Sequence, residues 1–516
     1  MRWRITGLAF TFGILYVFLI SNIYSLQVEK RSDSLIRAEF LGKPRGNIYF
    51  IDKNNNLTPA ALNKEYPTVY ADPEETGLKA ALYAEKLSPL INKSVEELEK
   101  ILSKLNDTYE LLLQKAESWQ VEKIKDLNLK GIYIKNESLR FYPFKELASH
   151  VLGFTDPTNE VGGRYGAELQ FNDLLNDKNL VLTIDHNIQD RAEKILRKII
   201  EKYRAVAGTI IIQEPQTGKI LAMGNSPSFD PNNYSKFKIG TFLNPAVQAV
   251  YEPGSVFKVI TMAAGIDSGK ITPETSYFDI GSVTLNGKTI KNWDLRVYGE
   301  QTMLGVIENS INTGSVFAQR KIGQDIFYNY LIKFGFNKPT GVVLPGEING
   351  NINNLKTGKD INFATASFGQ GVSVTPIELI NAFSAIANNG VLMKPLILAD
   401  EKPQEIRRVV SRETARKVVE MMVSAVEKNK VAAISNYSVA GKTGTSFVPD
   451  FGNKGYTEEV INTYVGFAPA SNPRFVILIK LDKPAGAPLA GQSVVPAFRE
   501  LAQFILNYYN IAPDKL

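Results

Sequence analysis

One stretch near the middle of the chain constrains the fold more than any other: Glu252-Pro253-Gly254-Ser255-Val256-Phe257-Lys258. Its proline and glycine predict a turn that opens into a helix. The residues that follow, as far as Ile266, are apolar on nearly every face, which is typical of a helix buried inside its domain. Ser255 is therefore expected at the start of a core helix, with Lys258 three residues later on the same face.

That placement suits a nucleophile and a base. The positive end of a helix dipole favours a developing alkoxide on Ser255 by ~0.3–1 kcal/mol. A lysine forced toward an apolar interior loses hydration, so the pKa of Lys258 should fall from about 10.4 and the neutral amine could accept a proton. A capping serine followed by a surface lysine gives the same four-residue pattern, so the rest of the chain must supply other parts of a site.

The composition excludes several kinds of site. The 516 residues contain no cysteine, which excludes disulfides and thiolate metal sites. The two histidines, His150 and His186, are too few for most histidine-based metal sites or catalytic triads. His150 lies in an apolar stretch and is expected to pack in a core or interface. The net charge of +6 is spread along the chain, so no nucleic-acid partner is indicated.

An uncharged run at residues 5–26 follows Arg2 and Arg4. At ~1.5 Å per residue it can cross a ~30 Å hydrocarbon core. The end of the run offers no clean small-x-small cleavage pattern, so we expect a retained anchor rather than a removed signal peptide. The short tail before it favours a cytoplasmic N-terminus and an extracytoplasmic body.

The character of the sequence changes near residue 180, where we place the main domain boundary. Length alone suggests two to four domains. Residues 28–178 form a mixed α/β portion without recognisable chemistry, and Ser94 is predicted to cap one of its helices. Beyond the boundary, Asp185 is predicted to cap a helix, and strands at 205–213 and 219–223 flank a hairpin turn at 214–218.

Two more short motifs follow the Ser255 helix. Ser310 and Asn312 flank one residue in a polar loop, so both side chains can point the same way. Lys442-Thr443-Gly444-Thr445 resembles a phosphate loop only superficially, because Asn436 occupies the position of the required first glycine. It is predicted to be a strand, followed by a polar loop at 446–461, a strand pair at 462–468 and 474–482, and a final helix at 496–509.

Ser255-x-x-Lys258, Ser310-x-Asn312 and Lys442-Thr443-Gly444 together, in this order, match the motif set of serine β-lactamases and penicillin-binding proteins. Over nearly its whole length the chain resembles a class B penicillin-binding protein, most closely the division-type subgroup. Further matching segments are Arg45-Gly46-Asn47-Ile48, Tyr142-Pro143, His150-Val151-Leu152-Gly153, Gly166-Ala167-Glu168, Thr183-Ile184-Asp185 and Tyr251-Glu252-Pro253-Gly254-Ser255. Glu214-Pro215-Gln216 is a mild departure, since the family often has aspartates there.

The resemblance implies a role for each motif. Ser255 attacks the carbonyl between the two terminal D-alanines of a stem peptide, Lys258 takes its proton, Ser310 relays that proton, and Asn312 holds Lys258 and the substrate amide. Lys442 supplies charge for the substrate carboxylate, with Thr443, Gly444 and Thr445 beside it, and the N–H groups of Ser255 and Thr445 form an oxyanion hole. No metal or organic cofactor is needed.

The resemblance also implies the architecture and the partners. We expect an α+β transpeptidase domain at 179–516, with an antiparallel sheet flanked by helices and a helical subdomain. It would stand on an elongated α/β pedestal at 28–178, behind a tail and anchor at 1–27. Expected partners are D-Ala-D-Ala stem peptides, β-lactams, the plasma membrane and a polytopic glycosyltransferase. Alternatives are an elongation-type transpeptidase, a D,D-carboxypeptidase, a serine β-lactamase and a β-lactam sensor without turnover.

Overall fold

The computed structural model of the chain describes residues 44–156, 162–450, 452–453 and 455–515. The predicted anchor at residues 5–26 lies outside these described residues. Among the helices of the described residues, none has both the length and the apolar character needed to span a membrane. The described chain divides into two compact units, one built mainly from Asn63–Leu139 and Asp173–Lys178, the other from Asn47–Leu62, Arg140–Asn172 and residues from Asn179 onward.

The described residues form strands and helices in an α+β arrangement. The strands are β1 (Ile48–Ile51), β2 (Leu57–Ala71), β3 (Glu110–Leu113), β4 (Ile132–Phe141), β5 (Leu180–Val181), β6 (Ala207–Gln213), β7 (Ile220–Ser226), β8 (Ser276–Asp279), β9 (Ser282–Leu285), β10 (Lys288–Lys291), β11 (Gly299–Thr302), β12 (Val391–Met393), β13 (Glu405–Arg408), β14 (Ala440–Pro449), β15 (Tyr456–Ala468) and β16 (Phe475–Asp482). The α-helices are α1 (Pro73–Thr76), α2 (Ala80–Leu87), α3 (Val95–Leu102), α4 (Ser118–Asp126), α5 (Ser149–Leu152), α6 (Gly166–Gln170), α7 (Asn172–Asp177), α8 (His186–Tyr203), α9 (Pro245–Gln248), α10 (Lys258–Asp267), α11 (Met303–Asn309), α12 (Asn312–Ile322), α13 (Gln324–Phe334), α14 (Asp360–Ala366), α15 (Pro376–Ala387), α16 (Arg412–Asn429) and α17 (Ala490–Tyr508).

The smaller unit has its own core. Its helices α2 and α3 bury one apolar face each, with Leu87 and Leu98 fully inaccessible to solvent. Ser94 accepts a hydrogen bond from the Glu97 amide, so the predicted cap of α3 is confirmed. Strand β2 pairs with β3 and β4 to close the other side of this core.

The larger unit is organised around an antiparallel sheet with the strand order β14-β15-β16-β6-β7. Successive residues of β6 point to opposite faces. Ile210 and Ile212 pack with α8 and α17, whereas Gln213 bonds to Asn381 and Ser384 of α15 on the other face. Helices therefore cover both faces with their apolar sides, and β14 forms one edge.

Several local predictions for this unit are confirmed. Asp185 accepts hydrogen bonds from the amides of Asn187 and Ile188 at the start of α8. The hairpin turn at 214–218 joins β6 to β7. His150 is 5% exposed, and its Nε2 lies 2.9 Å from the carbonyl oxygen of Thr241, as expected of a packed core histidine.

Two predictions near the C-terminus are wrong. Residues 446–461 are not a loop throughout, because β14 runs on to Pro449 and β15 starts at Tyr456, with Ser446 opposite Ile461. Cross-strand pairing supplied by β15 outweighs the local polar composition. The last helix begins at Ala490 rather than 496, and Pro496 lies inside it. The prediction began the helix at Pro496, because proline is favoured in a first turn. Burial of Val494 and Val495 in the core instead offsets the cost of a proline inside the helix.

Candidate active site

The Ser255 turn is a short 3-10 segment, Gly254–Phe257, that runs directly into α10. Val256 and Phe257 are fully buried and fix the segment in the core, while Ser255 stays half-buried. Gly254 has a φ of +61°, and a Cβ there would lie 2.9 Å from the Thr445 carbonyl oxygen. Only glycine allows this turn to approach β14 so closely.

Strand β14 meets the turn from the other side. A Cβ on Gly444 would lie 2.6 Å from the Pro253 carbonyl oxygen and 3.1 Å from Cγ1 of Val256. The Ser446 hydroxyl donates a hydrogen bond to the Glu252 carbonyl oxygen at 2.7 Å. The Lys442-Thr443-Gly444-Thr445 motif is thus held against the nucleophile turn by backbone contacts that no larger residue at position 444 would permit.

Lys258 is fully buried at the start of α10. Its Nζ lies 2.6 Å from the carbonyl oxygen of Ser310, 2.8 Å from Oδ1 of Asn312 and 3.3 Å from Oγ of Ser310. Burial, and secondarily the charge of Lys442, hold the pKa of Lys258 well below its ordinary value.

Ser310 and Asn312 come together because of the backbone between α11 and α12. Ser310 closes α11 in the left-handed conformation, with a φ of +56°. Ile311 is buried, and Asn312 opens α12. Both flanking side chains therefore face Lys258, which the loop pattern predicted only as a possibility.

Lys442 extends from β14 to the same point and is 4% exposed. Its Nζ donates hydrogen bonds to Oγ of Ser310 at 3.0 Å and to the carbonyl oxygen and Oγ1 of Thr443 at 3.2 and 3.4 Å. Burial lowers the pKa of Lys442 to about 7. Thr445 is anchored separately, since its hydroxyl donates to Oδ1 of Asn462 at 3.1 Å and accepts the amide hydrogen of Ala490 at 3.2 Å.

Two buried amines thus converge on Ser310 without an acid. Across the described residues, neither Lys258 nor Lys442 has an aspartate or glutamate within ion-pair distance. Buried cations normally have a partner, so the site is complementary to an anionic ligand. The described part of the chain has no group of His, Asp and Glu side chains that could hold a metal ion.

The Ser255 hydroxyl differs from the other predicted site residues. Within the described structure it makes no hydrogen bond, and Lys258 bonds to Ser310 and Asn312 instead. Catalytic hydrogen bonds are often absent before substrate binds, so this geometry is compatible with a nucleophile. The structure thus brings Lys258, Ser310, Asn312 and Lys442 into direct contact, with Thr443, Gly444 and Thr445 on the strand that packs against the Ser255 turn.

The sequence profile of the penicillin binding protein transpeptidase domain matches residues 208–503, more than half of the chain. This chain belongs to the penicillin-binding protein family. The profile of the penicillin-binding protein dimerisation domain matches residues 42–179.

Relatives of this penicillin-binding protein cover nearly its full length. Stage V sporulation protein D of Bacillus subtilis is 30% identical, over 91% of this chain and 79% of that protein. Peptidoglycan D,D-transpeptidase FtsI of Escherichia coli is 28% identical, over 100% of this chain and 93% of that protein. The crystal structure of penicillin binding protein 3 from Mycobacterium tuberculosis superposes with a TM-score of 0.71 at 26% identity, covering 91% of this chain and 98% of that one.

The sequence did not reveal the residues of this penicillin-binding protein that contact Asn312 and Thr313 and lie outside the three motifs. They lie between the first two motifs, on the strands β8 and β10 and the turn after β10. No local pattern marked Asp279, at the end of β8, or Asn292, directly after β10, as a neighbour of the site.

Proposed function

We propose that the protein is a serine D,D-transpeptidase that cross-links peptidoglycan stem peptides ending in D-Ala-D-Ala, and that β-lactams acylate it in place of the peptide. One observation carries the proposal: two buried lysines, with no acidic partner among the residues that the structure describes, meet at Ser310, beside the helix start that carries Ser255. Membership of the penicillin-binding protein family supports the same reaction.

The donor peptide would bind along β14. This strand is the edge of the sheet, so one row of its backbone groups is available to pair with an extended peptide. The peptide's terminal carboxylate would lie at Lys442 and the hydroxyls of Thr443 and Thr445. There it would supply the negative charge that the two lysines need as a partner. Binding of the carboxylate would also raise the pKa of Lys442 and keep its ammonium charged.

Acylation would use the neutral form of Lys258. A neutral amine has two N–H groups, which can donate to the Ser310 carbonyl oxygen and to Oδ1 of Asn312. Its lone pair is then free to accept the Ser255 proton while Oγ of Ser255 bonds to the penultimate D-alanine carbonyl carbon. N–H groups of Ser255 and Thr445 would stabilise the oxyanion, a contribution of roughly 2.7–4 kcal/mol per donor in another hydrolase.

Collapse of the tetrahedral intermediate would break the peptide bond and release D-alanine. The proton on Lys258 would pass through Oγ of Ser310 to the leaving amine, a path that its position between the two lysines allows. An acceptor amine would then attack the Ser255 ester, return its proton through the same groups and form the cross-link.

Covalent labelling tests the nucleophile. A fluorescent penicillin should attach to the wild type and not to Ser255→Ala, with the adduct mapping to the peptide that contains position 255. Ser268→Ala, at the opposite end of α10, is the matched control and should label normally. Labelling of Ser255→Ala would reject the assignment.

Product analysis tests the reaction class. With a donor peptide and an amine acceptor, a transpeptidase forms the cross-linked product in competition with hydrolysis. Hydrolysis alone would indicate a carboxypeptidase or β-lactamase, and an acyl-enzyme that never turns over would indicate a sensor.

The cellular placement is a separate proposal. We propose a single-pass plasma-membrane protein with an extracytoplasmic catalytic domain, acting in division with a polytopic glycosyltransferase, on the basis of the 5–26 run and the division-type resemblance. The cysteine-free chain makes the topology test direct: Lys402→Cys, at an exposed loop position, should react with an impermeant maleimide added outside the membrane. A cysteine inserted after Met1 should not react.

Septal localisation of a fluorescent fusion would support the division role, and uniform wall localisation would contradict it.

A further inference from the structure

Helix α12, which begins with Asn312, has no cap of its own. Ile311 precedes it and has no side-chain acceptor for the first free amides. The acceptor comes from elsewhere in the chain: Oδ1 of Asn292 lies 3.2 Å from the Thr313 amide nitrogen and 3.2 Å from the Thr313 hydroxyl. The start of α12 is therefore tied to the turn after β10.

A buried carboxylate completes this tie. Asp279, at the end of β8, is 1% exposed and accepts a hydrogen bond from the Thr313 hydroxyl at 2.6 Å. Its other donors are the amide of Gly281 at 3.0 Å, Nδ2 of Asn292 at 2.9 Å and the amide of Tyr298 at 2.8 Å. Four donors satisfy the carboxylate without any lysine or arginine among its described partners, so its orientation is fully determined.

The same strands orient the Asn312 side chain. Nδ2 of Asn312 donates to the carbonyl oxygen of Lys291, the last residue of β10, at 2.9 Å. With Nδ2 directed to that carbonyl, Oδ1 must face the opposite way, where it accepts from Lys258. The β10 backbone and the Asn292 side chain therefore act on adjacent residues of one helical turn.

We propose that Asp279 and Asn292 are positioning residues of the active site. By holding Thr313, they fix the first turn of α12, and this fixes the distance and direction from Oδ1 of Asn312 to the Lys258 amine. The inference rests on the proposed function, because its consequence is the rate at which Ser255 is acylated. None of the three residues Asp279, Asn292 and Thr313 belongs to the three sequence motifs.

Thr313→Val tests the proposal, since it removes the hydroxyl and keeps the shape. We expect the maximal acylation rate with a fluorescent penicillin to fall roughly 10- to 100-fold, because a misplacement of about 1 Å at a catalytic group has that effect. The half-saturating penicillin concentration should change little, since Lys442, Thr443 and Thr445 are untouched. Thr313→Ser should restore the rate to within about threefold of wild type, because it returns the oxygen.

Thr209→Val is the matched control. It also removes a buried threonine hydroxyl, one that donates to Oδ1 of Asn225 at 2.9 Å on β6, in the central sheet. A merely structural role for Thr313 predicts that both valine variants lower the melting temperature alike and that both leave the acylation rate of the folded protein unchanged. That result would overturn the proposal.

Asn292→Ala and Asp279→Asn supply independent variants, and each should lower the maximal rate in the same direction as Thr313→Val. If Thr313→Val does not fold, the maximal acylation rates of these two variants test the proposal. The wild type separates the two possible failures: a wild type that penicillin does not acylate at Ser255 contradicts the proposed function. A wild type that is acylated normally, with all three variants equally fast, contradicts the positioning role alone.

Discussion

The hydroxyl oxygen of Ser310 lies 3.0 Å from Nζ of Lys442. It also lies 3.3 Å from Nζ of Lys258, so one hydroxyl joins an amine on a helix to an amine on the edge strand. Burial lowers the pKa of both lysines, and the nearby charge of Lys442 lowers the pKa of Lys258 further. The arrangement favours one neutral amine, Lys258, and one that is charged when it meets an anion, Lys442.

Replacing Lys258 should abolish acylation without unfolding the protein. Lys258→Met keeps the length and removes the base, so penicillin labelling should fall by at least about 10²–10⁴-fold. The melting temperature should change by only a few degrees. Lys480→Met, which changes another buried lysine on β16, is the control and should label at the wild-type rate. Normal labelling of Lys258→Met would remove the lysine as base.

The pH dependence of acylation should follow both lysines. The rate constant should rise with pH as Lys258 loses its proton at its lowered pKa. The rate constant should fall again above about pH 7, where Lys442 becomes neutral in the free enzyme and no longer attracts the carboxylate. Arginine keeps its proton, so Lys442→Arg should move the alkaline fall to higher pH. The measurement is the second-order acylation constant across the pH range, and an unmoved alkaline limb would contradict this assignment.

Lys442 should also cost stability at neutral and acidic pH. Its folded pKa of about 7 lies below the unfolded value of about 10.4, so the unfolded chain binds more protons between these values. The free energy of unfolding should therefore rise with pH across that window. The destabilisation caused by Lys442 is largest below about pH 7. Lys442→Met should be more stable than wild type by roughly 1–4 kcal/mol near pH 6, with a smaller difference near pH 10. Denaturant unfolding at the two pH values decides; a variant less stable than wild type near pH 6 would refute the argument.

Gly444→Ala should disable the site while leaving the sheet intact. The new Cβ would lie 2.6 Å from the Pro253 carbonyl oxygen, and a backbone atom there cannot move without moving the Ser255 turn. We expect labelling to fall roughly 10²-fold because the turn and β14 separate. Gly491→Ala on α17, where a Cβ meets nothing within 4 Å, should behave as wild type. Equal labelling of the two variants would show that the contact between Gly444 and Pro253 is not required.

Local sequence predicted much of the larger unit, because its signals act over a few residues. Asp185 caps α8 through amides two and three residues away, and the turn at 214–218 needs only its own proline and glycine. Ser255 and Lys258 share one short helical segment for the same reason. The end of β14 and the start of α17 were mispredicted because pairing with β15 and packing of Val494 in the core decide them, and neither follows from local composition.

By itself, the sequence determined the three motifs and their order, and it predicted the helix start at Ser255 and the strand at Lys442, since the spacing of residues on a helix or strand is set by backbone geometry. Only the tertiary structure decided that Lys258 and Lys442 share the Ser310 hydroxyl, that Lys442 is buried, and that neither lysine has an acid beside it among the described residues. It also decided that Asp279 and Asn292 hold the turn carrying Asn312. Burial and hydrogen bonds between distant segments have no local signature. They arise when helices and strands pack together, and the lowered pKa of Lys442 arises with them.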